Sequence, residues 1–592
     1  MKTDWNFGAL EIDFDKEGFE LEKSFDEFVL KWKDNKEYLE NSKILKQALD
    51  EFNELLEKFG KGGARFYYYF LKQELDKNDK EIRKNYMLAR DFFTKQDNKI
   101  LFFVISLSKV SKNKQKEFLE SDELADYRNF LKEIFENSKY FLSEKEEKIL
   151  SLKSAGSYEM WTEMVEALLS KETAIVKNDE GNEVELTYPE LIDLMRSTKK
   201  EVRDSANVAF VNILKKYEDV AEVELNAVLE NAKVRDELRG YNRPDESRIK
   251  SDSIDLDFVD SILEASKEGF SISNKYYSLI AKLIGKEKIG YYERNVNIGK
   301  FDKKYSFEES VEIVRKVFSK LDKEFLDIFN EMLKNGKVDV YPKQGKNGGA
   351  FCVDWRRTDP TYVLLNHSGD LRDVTTIAHE MGHAINSILM KKNEKAINCG
   401  HPKSIAEVAS NFMENFVFDE VLENSTKEEK FCLLVKKLGE DIASVNRQIA
   451  LYLFELEIHK KYREEGYLSK EKIGEIFVKY MSKYLGESVD VSEANLWWIY
   501  WTHIREYFYV YSYASGILIA KSMQEKYKEN NNFIEEVKKF LKTGTSKNPR
   551  EIFGEMGIEI NKKFFSLGVK SLEDDLSEIE KLANELGKFK HI

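Results

Sequence analysis

Apolar residues recur at helical spacing through the first third of the chain, from about residue 20 to residue 170. One stripe comprises Phe25, Phe28, Val29 and Trp32. A second stripe comprises Leu45, Leu49, Phe52, Leu55 and Leu56. Spacing of i, i+3, i+4 and i+7 places the apolar side chains of a helix on one face. The pattern predicts a series of amphipathic helices that pack on these stripes.

The helical pattern stops at residues 173–187. Two short β-prone segments flank a turn rich in Asn, Asp and Gly, which predicts a hairpin. Pro189 follows at a position typical of the first turn of a helix. We therefore place the main domain boundary near residue 190. The prediction is an N-terminal helical domain over 1–190, ending in the hairpin, and a second domain over 191–592.

The pattern changes again over residues 338–402. Three of the six prolines lie here, with Gly345, Gly348, Gly349 and Gly369. Short β-like runs occupy residues 349–354 and 362–365. Because loops held by a rigid scaffold often carry functional residues, this stretch is a candidate site region. The predicted fold class is mainly α, with a small β-sheet in this stretch.

Composition and charge exclude several classes of protein. With 34% charged and 42% hydrophobic residues, the chain has the balance of a globular protein with a full core. The net charge is −14 and no basic block is present, so we expect no nucleic-acid partner. Neither a signal peptide nor an apolar run of membrane-spanning length is visible, and the three cysteines form no paired pattern. We expect a cytoplasmic protein without membrane contacts.

The segment Asp370–Met390 predicts a helix that carries His379-Glu380-Met-Gly-His383. Two histidines four residues apart project from one face, as two neighbouring ligands of a tetrahedral zinc ion do. Glu380 lies where a general base reaches a water on the metal without ligating the metal itself. The alternative is a chance pattern of core histidines, which arises in roughly one such sequence in a hundred.

A third ligand is needed, since catalytic zinc sites keep the fourth position for water. We expect a second helix to open at Ser404, and we prefer its Glu407 as the ligand. A capping box formed by Ser404 and Glu407 is the structural alternative. Glu414, two turns further along, is either the ligand in place of Glu407 or a partner that orients a histidine. Asn411 is a second candidate for orienting a ligand.

These residues resemble a known family. HEMGH followed 24 residues later by Glu407 resembles the oligoendopeptidase F branch of the thimet-oligopeptidase-like zinc metallopeptidases. The segments 345–351 and 362–370 are similar to that branch's approach to its zinc helix. The resemblance covers roughly residues 200–580. It implies one zinc ion per chain, held by His379, His383 and Glu407, and oligopeptides as substrates.

A second block, residues 503–516, resembles the family's histidine followed by an aromatic stretch. The resemblance implies that His503 and tyrosines of this stretch stabilise the oxyanion, with Tyr511 as first choice and Tyr509 as second. The chain departs from the family at Ile504 and Arg505, which replace an aromatic pair.

The resemblance also implies two helical lobes around a deep central channel that admits short peptides. It places the substrate backbone along a sheet edge at the glycine-rich segment. The predicted substrate-binding residues are Gly348, Gly349, Ala350 and Tyr513.

Two other functions remain open at this stage. One is a zinc carboxypeptidase or dipeptidase, which needs a cation for the substrate's terminal carboxylate, such as Arg505, Arg356 or Arg357. The other is a non-catalytic peptide-binding scaffold, against which the intact Glu380 argues. Cobalt or manganese in place of zinc also remains open, as does the oligomeric state.

Overall fold

Helices make up most of the protein, which confirms the predicted mainly α class. The computed structural model describes residues 1–60, 62–299 and 303–589. In chain order the helices are α1 (Phe14–Trp32), α2 (Ser42–Phe59), α3 (Gly63–Leu75), α4 (Lys80–Ser108), α5 (Lys112–Glu120), α6 (Arg128–Glu136), α7 (Glu144–Ser154), α8 (Met160–Leu169), α9 (Tyr188–Leu194), α10 (Lys200–Lys216), α11 (Glu218–Arg239), α12 (Glu246–Ser251), α13 (Leu256–Glu268), α14 (Phe270–Leu283), α15 (Phe307–Leu321), α16 (Lys323–Asn335), α17 (Leu371–Asn393), α18 (Val408–Glu423), α19 (Lys427–Ile442), α20 (Gln448–Glu465), α21 (Lys470–Leu485), α22 (Tyr511–Glu529), α23 (Ile534–Lys542), α24 (Pro549–Glu555) and α25 (Lys562–Glu585). The strands are β1 (Thr173–Lys177), β2 (Glu183–Thr187), β3 (Ile289–Gly290), β4 (Val338–Asp339), β5 (Phe351–Val353), β6 (Tyr362–Leu364) and β7 (Val489–Asp490).

The chain forms two compact units and contributes three segments to each. The first unit comprises Met1–Glu144, Lys303–Glu423 and Met523–Glu559. The second unit comprises Lys145–Asp302, Asn424–Ser522 and Ile560–Ile592. The predicted boundary near residue 190 lies inside the second unit. The boundary at 190 rests on a local change in sequence pattern. The two compact units are defined by contacts between segments far apart in the chain. The two divisions describe different properties, and the boundary at 190 stays a prediction.

The two predicted stripes of the first unit are buried in one apolar cluster. Phe25, Phe28 and Trp32 of α1 contact it from one side. The residues of α2 in the cluster are Leu45, Leu49, Phe52 and Leu55. Burying each large apolar side chain stabilises the fold by ~1.5–3 kcal/mol. Helices α1 and α2 therefore pack into the core through their apolar faces, as predicted.

The predicted hairpin is present in the second unit. β1 pairs antiparallel with β2, from Thr173 opposite Thr187 to Lys177 opposite Glu183. Its turn contains Gly181 at φ +84°, a conformation that glycine adopts without strain. The α9 helix follows at once, with Pro189 in its first turn and a capping box between Thr187 and Glu190.

A three-stranded sheet in the first unit is built from the loop-rich stretch. Its order is β4–β6–β5, with β4 parallel and β5 antiparallel to β6. Both predicted β-like runs are therefore strands, and β5 is an outer strand of this sheet. Buried Lys346 ties the glycine-rich loop to the sheet, because its Nζ donates to Asp339 Oδ1 at 2.7 Å and to Leu365 O at 2.6 Å. β5 also contacts α17.

Within the described ranges, no helix combines the length and apolarity that crossing a bilayer demands.

Candidate metal centre and the histidine–tyrosine cluster

Helix α17 carries the two predicted histidine ligands. Asp373 fixes the helix start, because its Oδ2 accepts the backbone N–H groups of Gly369 at 2.8 Å and Asp370 at 2.9 Å. The helix ends at Asn393, three residues beyond the predicted Met390. The rings of His379 and His383 lie on one face with centroids 5.1 Å apart.

Glu407 completes a cluster of three ligand atoms. Its Oε2 lies 3.3 Å from Nε2 of His379 and 3.4 Å from Nε2 of His383. All three atoms lie within 4.8 Å of one another. Metal–ligand bonds of ~2.1 Å in a tetrahedral zinc site place neighbouring ligand atoms ~3.4 Å apart, so the spacing fits a zinc-sized cation. Two imidazoles and one carboxylate also match a catalytic site with a fourth position for water.

The expectation that a helix opens at Ser404 is wrong. Helix α18 begins at Val408, and Glu407 lies in the turn just before it. Short-range turn bonds form instead, from Ile405 N–H to Pro402 O at 3.0 Å and from Val408 N–H to Ile405 O at 3.1 Å. Outside the helix, the Glu407 carboxylate is not directed along a helix face and turns toward both histidines.

Gly382 allows the chain around Glu407 to reach α17. A Cβ at this position would lie 2.6 Å from Ser410 Cα and 2.8 Å from Ala409 O. Any larger side chain therefore pushes α18 away from α17. The Ser410 hydroxyl in turn donates to Glu407 Oε2 at 3.1 Å. The glycine inside the HEMGH motif thus determines how closely Glu407 approaches His379 and His383.

Glu414 on α18 binds the opposite nitrogen of His379, with Oε2 2.9 Å from Nδ1. A carboxylate there fixes the tautomer that presents Nε2 to a metal. Burial lowers the pKa of His379, but hydrogen bonds with Glu407 and Glu414 outweigh burial and raise that pKa to about 10. Glu407 faces both Nε2 atoms and Glu414 only Nδ1 of His379, so Glu407 stays the predicted ligand and Glu414 the predicted orienting group. Asn411 Nδ2 donates to the backbone oxygen of Glu407 at 2.8 Å, not to its carboxylate.

Glu380 is buried beside the two histidines, with 6% of its surface exposed. Burial raises the pKa of Glu380, and the opposing effects of His379 and His383 leave it above its ordinary value. A carboxylate with a raised pKa is a stronger base, as abstraction of a proton from water requires. Glu380 lies on the same helix as His379 and His383, where the sequence predicts a general base.

His503 lies in the second unit within an aromatic cluster. Its ring stacks on Tyr509 with centroids 5.6 Å apart, and Tyr513 lies 6.0 Å from His503 and 5.8 Å from Tyr509. Burial and then the Arg447 charge lower the pKa of His503 to about 4. The imidazole is therefore neutral at pH 7, with one nitrogen as donor and the other as acceptor.

Tyr511 has a different environment. Its side chain is fully buried and its hydroxyl donates to Asp252 Oδ2 at 2.7 Å. The ring packs 6.1 Å from that of Tyr452. These are the contacts of a core residue that holds the start of α22. They give no support to Tyr511 as first choice for the oxyanion, whereas Tyr509 and Tyr513 share the cluster with His503.

The backbone is left-handed at both residues that precede Tyr509: φ is 53° at Tyr507 and 59° at Phe508. Such residues cost ~1–3 kcal/mol each and persist only where their surroundings fix them. Glu455 Oε1 accepts the Phe508 N–H at 3.0 Å. Arg248 Nε donates to Tyr507 O at 3.0 Å. Side chains of α20 and α12 thus hold the turn that presents Tyr509.

The sequence analysis missed Glu455, Arg248 and Asp252, none of which belongs to a motif. The available signal was a carboxylate in an apolar helical run, Tyr452-Leu-Phe-Glu-Leu, which demands a specific partner when buried.

The predicted substrate-binding glycines lie at the start of the outer strand. Gly348 and Gly349 are exposed, and a Cβ on Gly348 would meet no atom within 4 Å. Asn366 Nδ2 donates to Gly349 O at 2.6 Å and fixes the loop. Ala350 is half-buried and leads directly into β5. Contact of these residues with substrate stays a prediction.

Each arginine named for a carboxypeptidase already has a carboxylate partner. The pairs are Arg505 with Glu224 at 2.8 Å, Arg356 with Asp359 at 2.7 Å, and Arg357 with Glu57 at 2.6 Å. An arginine neutralised inside the protein has little charge left for a substrate's terminal carboxylate. These contacts weaken the carboxypeptidase alternative.

Comparison with known proteins agrees with this site. The family model described as peptidase family M3 matches residues 193–566, and the model described as Oligopeptidase F matches residues 107–171. The chain is 28% identical over 556 residues to an oligoendopeptidase F homolog of Borreliella burgdorferi, covering 92% of each chain. It is 24% identical over 547 residues to oligopeptidase PepF of Bacillus subtilis, covering 91% of this chain and 81% of that one.

A solved structure shares the fold. The oligoendopeptidase F of Enterococcus faecium superposes with a TM-score of 0.72 at 18% identity, covering 97% of this chain and 99% of that chain. At this identity the likeness concerns the fold alone. The M3 family model spans more than half of the chain and includes the HEMGH helix and Glu407. The chain therefore belongs to peptidase family M3 and is a metallopeptidase of the oligoendopeptidase F kind.

Proposed function

We propose that this enzyme is a zinc endopeptidase that hydrolyses internal bonds of short oligopeptides. The convergence of His379 Nε2, His383 Nε2 and Glu407 Oε2 within 4.8 Å, beside a buried Glu380, carries the proposal. These three residues would hold one zinc ion per chain. The ion supplies Lewis-acid chemistry, which polarises the scissile carbonyl and lowers the pKa of water.

The protein's own groups move the protons. Glu380, with its raised pKa, accepts the proton of the attacking water and delivers it to the leaving amine. Glu414 keeps His379 in the tautomer that presents Nε2. We assign the oxyanion donors to His503, Tyr509 and Tyr513, in place of Tyr511. The ring contacts of His503 support this choice.

The glycine-rich segment 348–350 and the outer edge of β5 are proposed to hold the substrate backbone as an added strand. Exposed main-chain groups at this edge give affinity that does not depend on side-chain sequence. This mode favours cleavage inside a peptide over removal of a terminal residue. The paired states of Arg505, Arg356 and Arg357 support the same choice.

The test combines metal analysis with Glu380→Gln on internally quenched peptides. We expect near-stoichiometric zinc in both proteins and a kcat lower by ~10²–10⁴ in the variant, the usual contribution of a general base. The control is Glu81→Gln on an exposed face of α4, which should retain full activity. Full activity of Glu380→Gln with zinc bound would contradict the mechanism.

End-group analysis of the products tests the endopeptidase assignment separately. Internal cleavage yields two oligopeptides from each substrate, whereas stepwise release of single residues would restore the carboxypeptidase alternative. Manganese or cobalt in the purified enzyme would correct the metal and leave the residue roles intact.

A further inference from the structure

The second unit contains two arginines, the buried Arg294 and the half-buried Arg447, that have no acidic partner among the described residues. Arg294 is 5% exposed, and its Nη1 donates to Tyr291 O at 2.7 Å. Neither Arg294 nor Arg447 forms an ion pair with any residue in the described part of the chain. In the same unit, buried Arg203 has Glu293 at 2.8 Å as its partner.

Buried hydrogen-bond donors accompany the two arginines. Among the described residues near them, several donor atoms are buried without a partner: Arg294 Nε, Arg447 Nε, Tyr291 Oη, Tyr484 Oη and Trp501 Nε1. Buried polar groups are normally paired, and each unpaired one costs ~1–3 kcal/mol. So many unpaired donors in one region indicate a missing acceptor.

Contacts connect these groups into one cluster. The Arg294 guanidinium lies 4.0 Å from the Tyr291 ring, and the Arg447 guanidinium lies 4.9 Å from the Trp501 ring. Burial raises the pKa of Tyr291 and Tyr484, while Arg294 and Arg447 both act to lower it. A chain of ring contacts joins the two arginines: Arg294 lies 4.7 Å from the ring of Trp497, Trp497 lies 5.7 Å from Tyr500, and Tyr500 lies 5.3 Å from Trp501.

The charge decides what the missing acceptor is. An isolated cation in a protein interior is strongly unfavourable unless a counter-ion accompanies it. Water can satisfy the donors but leaves the charge of buried Arg294 uncompensated, with the charge of half-buried Arg447 adding to it. A small anion satisfies the donors and neutralises charge at once.

We propose that the Arg294–Arg447 cluster is a binding site for a small monovalent anion, either a halide or a carboxylate. The guanidinium groups supply charge, and the hydroxyls of Tyr291 and Tyr484 and the indole N–H of Trp501 donate hydrogen bonds. The site is separate from the metal ligands, which all belong to the first unit.

Arg447 connects this site to His503. It ends a wide helical turn, Ala443–Arg447, of a kind frequent at functional sites. Both Arg447 and His503 contact Trp501, and the Arg447 charge lowers the pKa of His503. A bound anion offsets that charge and raises the His503 pKa. Any effect on catalysis rests on the proposed function, whereas binding itself does not.

Bromide is the direct probe. Crystals of the full chain grown in bromide should show an anomalous peak among Arg294, Arg447 and Tyr484. A cluster occupied only by ordered waters, both in crystals grown in bromide and in crystals grown in acetate, overturns the proposal.

Thermal unfolding tests the site in solution. At constant ionic strength, replacing gluconate by chloride, bromide or acetate should raise Tm by a few degrees, increasing with the logarithm of anion concentration. Stabilisation by acetate alone identifies a carboxylate site, and stabilisation by chloride and bromide identifies a halide site. Equal Tm values in all four salts overturn the proposal.

Two variants and a control complete the solution test. Arg447→Gln should abolish the anion-dependent rise in Tm, and Arg447→Lys should keep part of it. Arg203→Gln, which breaks a buried pair of the same unit, should lower Tm equally in every salt. An anion response in Arg447→Gln equal to that of the wild type contradicts the assignment. Because the readout is stability, this result is independent of whether the enzyme is an endopeptidase.

Discussion

Three carboxylates surround the HEMGH histidines, and their environments give them different chemistry. Glu407 faces both Nε2 atoms, and although burial raises its pKa, hydrogen bonds from the two histidines hold that pKa well below the ordinary value. Glu414 faces only Nδ1 of His379. Glu380 is buried, and burial outweighs the opposing effects of His379 and His383, so its pKa rises. The different surroundings of the three carboxylates thus suit them to the three proposed roles: Glu407 as ionised ligand, Glu414 as orienting group and Glu380 as base.

The assignment of the oxyanion donor to Tyr509 in place of Tyr511 predicts opposite effects of substitution at the two positions, on activity at one and on stability at the other. Tyr509→Phe should lower kcat by ~10²–10³, the usual effect of losing one oxyanion donor, and leave Tm unchanged. Tyr511→Phe should retain activity and lose ~1–3 kcal/mol of stability, because buried Asp252 loses one of its hydrogen-bond donors. Steady-state kinetics and thermal unfolding measure both. A larger loss of kcat in Tyr511→Phe than in Tyr509→Phe would restore the original choice.

Glu455 gives a prediction about pH. Burial outweighs the Phe508 hydrogen bond and raises the pKa of Glu455 to about 8, against ~4.3 for an unfolded glutamate. The folded protein thus binds a proton that the unfolded chain releases. This stability is fully present below pH ~4.3 and is lost as pH rises through about 8.

Glu455→Gln stays neutral, so its Tm should fall less between pH 5 and pH 8 than that of the wild type. The control is Glu457→Gln. Burial raises the pKa of the Glu457 carboxyl, but hydrogen bonds with Lys479 and Tyr480 outweigh burial and hold that pKa below its ordinary value. That change should not flatten the pH dependence. Equal pH slopes in wild type and Glu455→Gln would show that Glu455 is ionised in the folded protein.

At the scale of elements, the close approach of α17 and α18 depends on a missing side chain. Gly382→Ala places a methyl group 2.6 Å from Ser410 Cα, which α18 relieves only by moving. We expect a loss of ~1–3 kcal/mol and weaker metal retention. Gly18→Ala in α1, where a Cβ meets no atom within 4 Å, should instead stabilise the protein by ~0.5–1 kcal/mol. Chemical denaturation and metal titration compare the two, and unchanged metal affinity in Gly382→Ala would contradict the argument.

Elements with strong local patterns were predictable from sequence. The α17 helix, the β1–β2 hairpin and strands β5 and β6 all occur where the pattern placed them. The turn at Glu407 was not predictable, because Ser404 and the apolar spacing after it also fit a helix. Side-chain direction around Tyr511 was not predictable either, since the left-handed turn at Tyr507 and Phe508 depends on distant Glu455 and Arg248.

At the scale of the whole molecule, all proposed metal ligands lie in one compact unit. Chelation should therefore destabilise the first unit by mass action, about 4 kcal/mol for a metal held at 1,000 times its Kd. Hydrogen exchange should show protection lost in α17 and α18 and retained in α20 and α25. Equal loss of protection in both units would show that the metal supports the entire fold.

The interleaved segments have a consequence for how the protein is made. Residues Lys303–Glu423 carry the ligands, yet their unit also requires Met523–Glu559. During synthesis, the segment bearing His379 leaves the ribosome well before its last structural partner exists. The nascent chain therefore exposes apolar helices for the time needed to translate more than a hundred further residues. We expect ribosome-bound fragments ending before residue 523 to depend on chaperones, which occupy those surfaces until the unit can close.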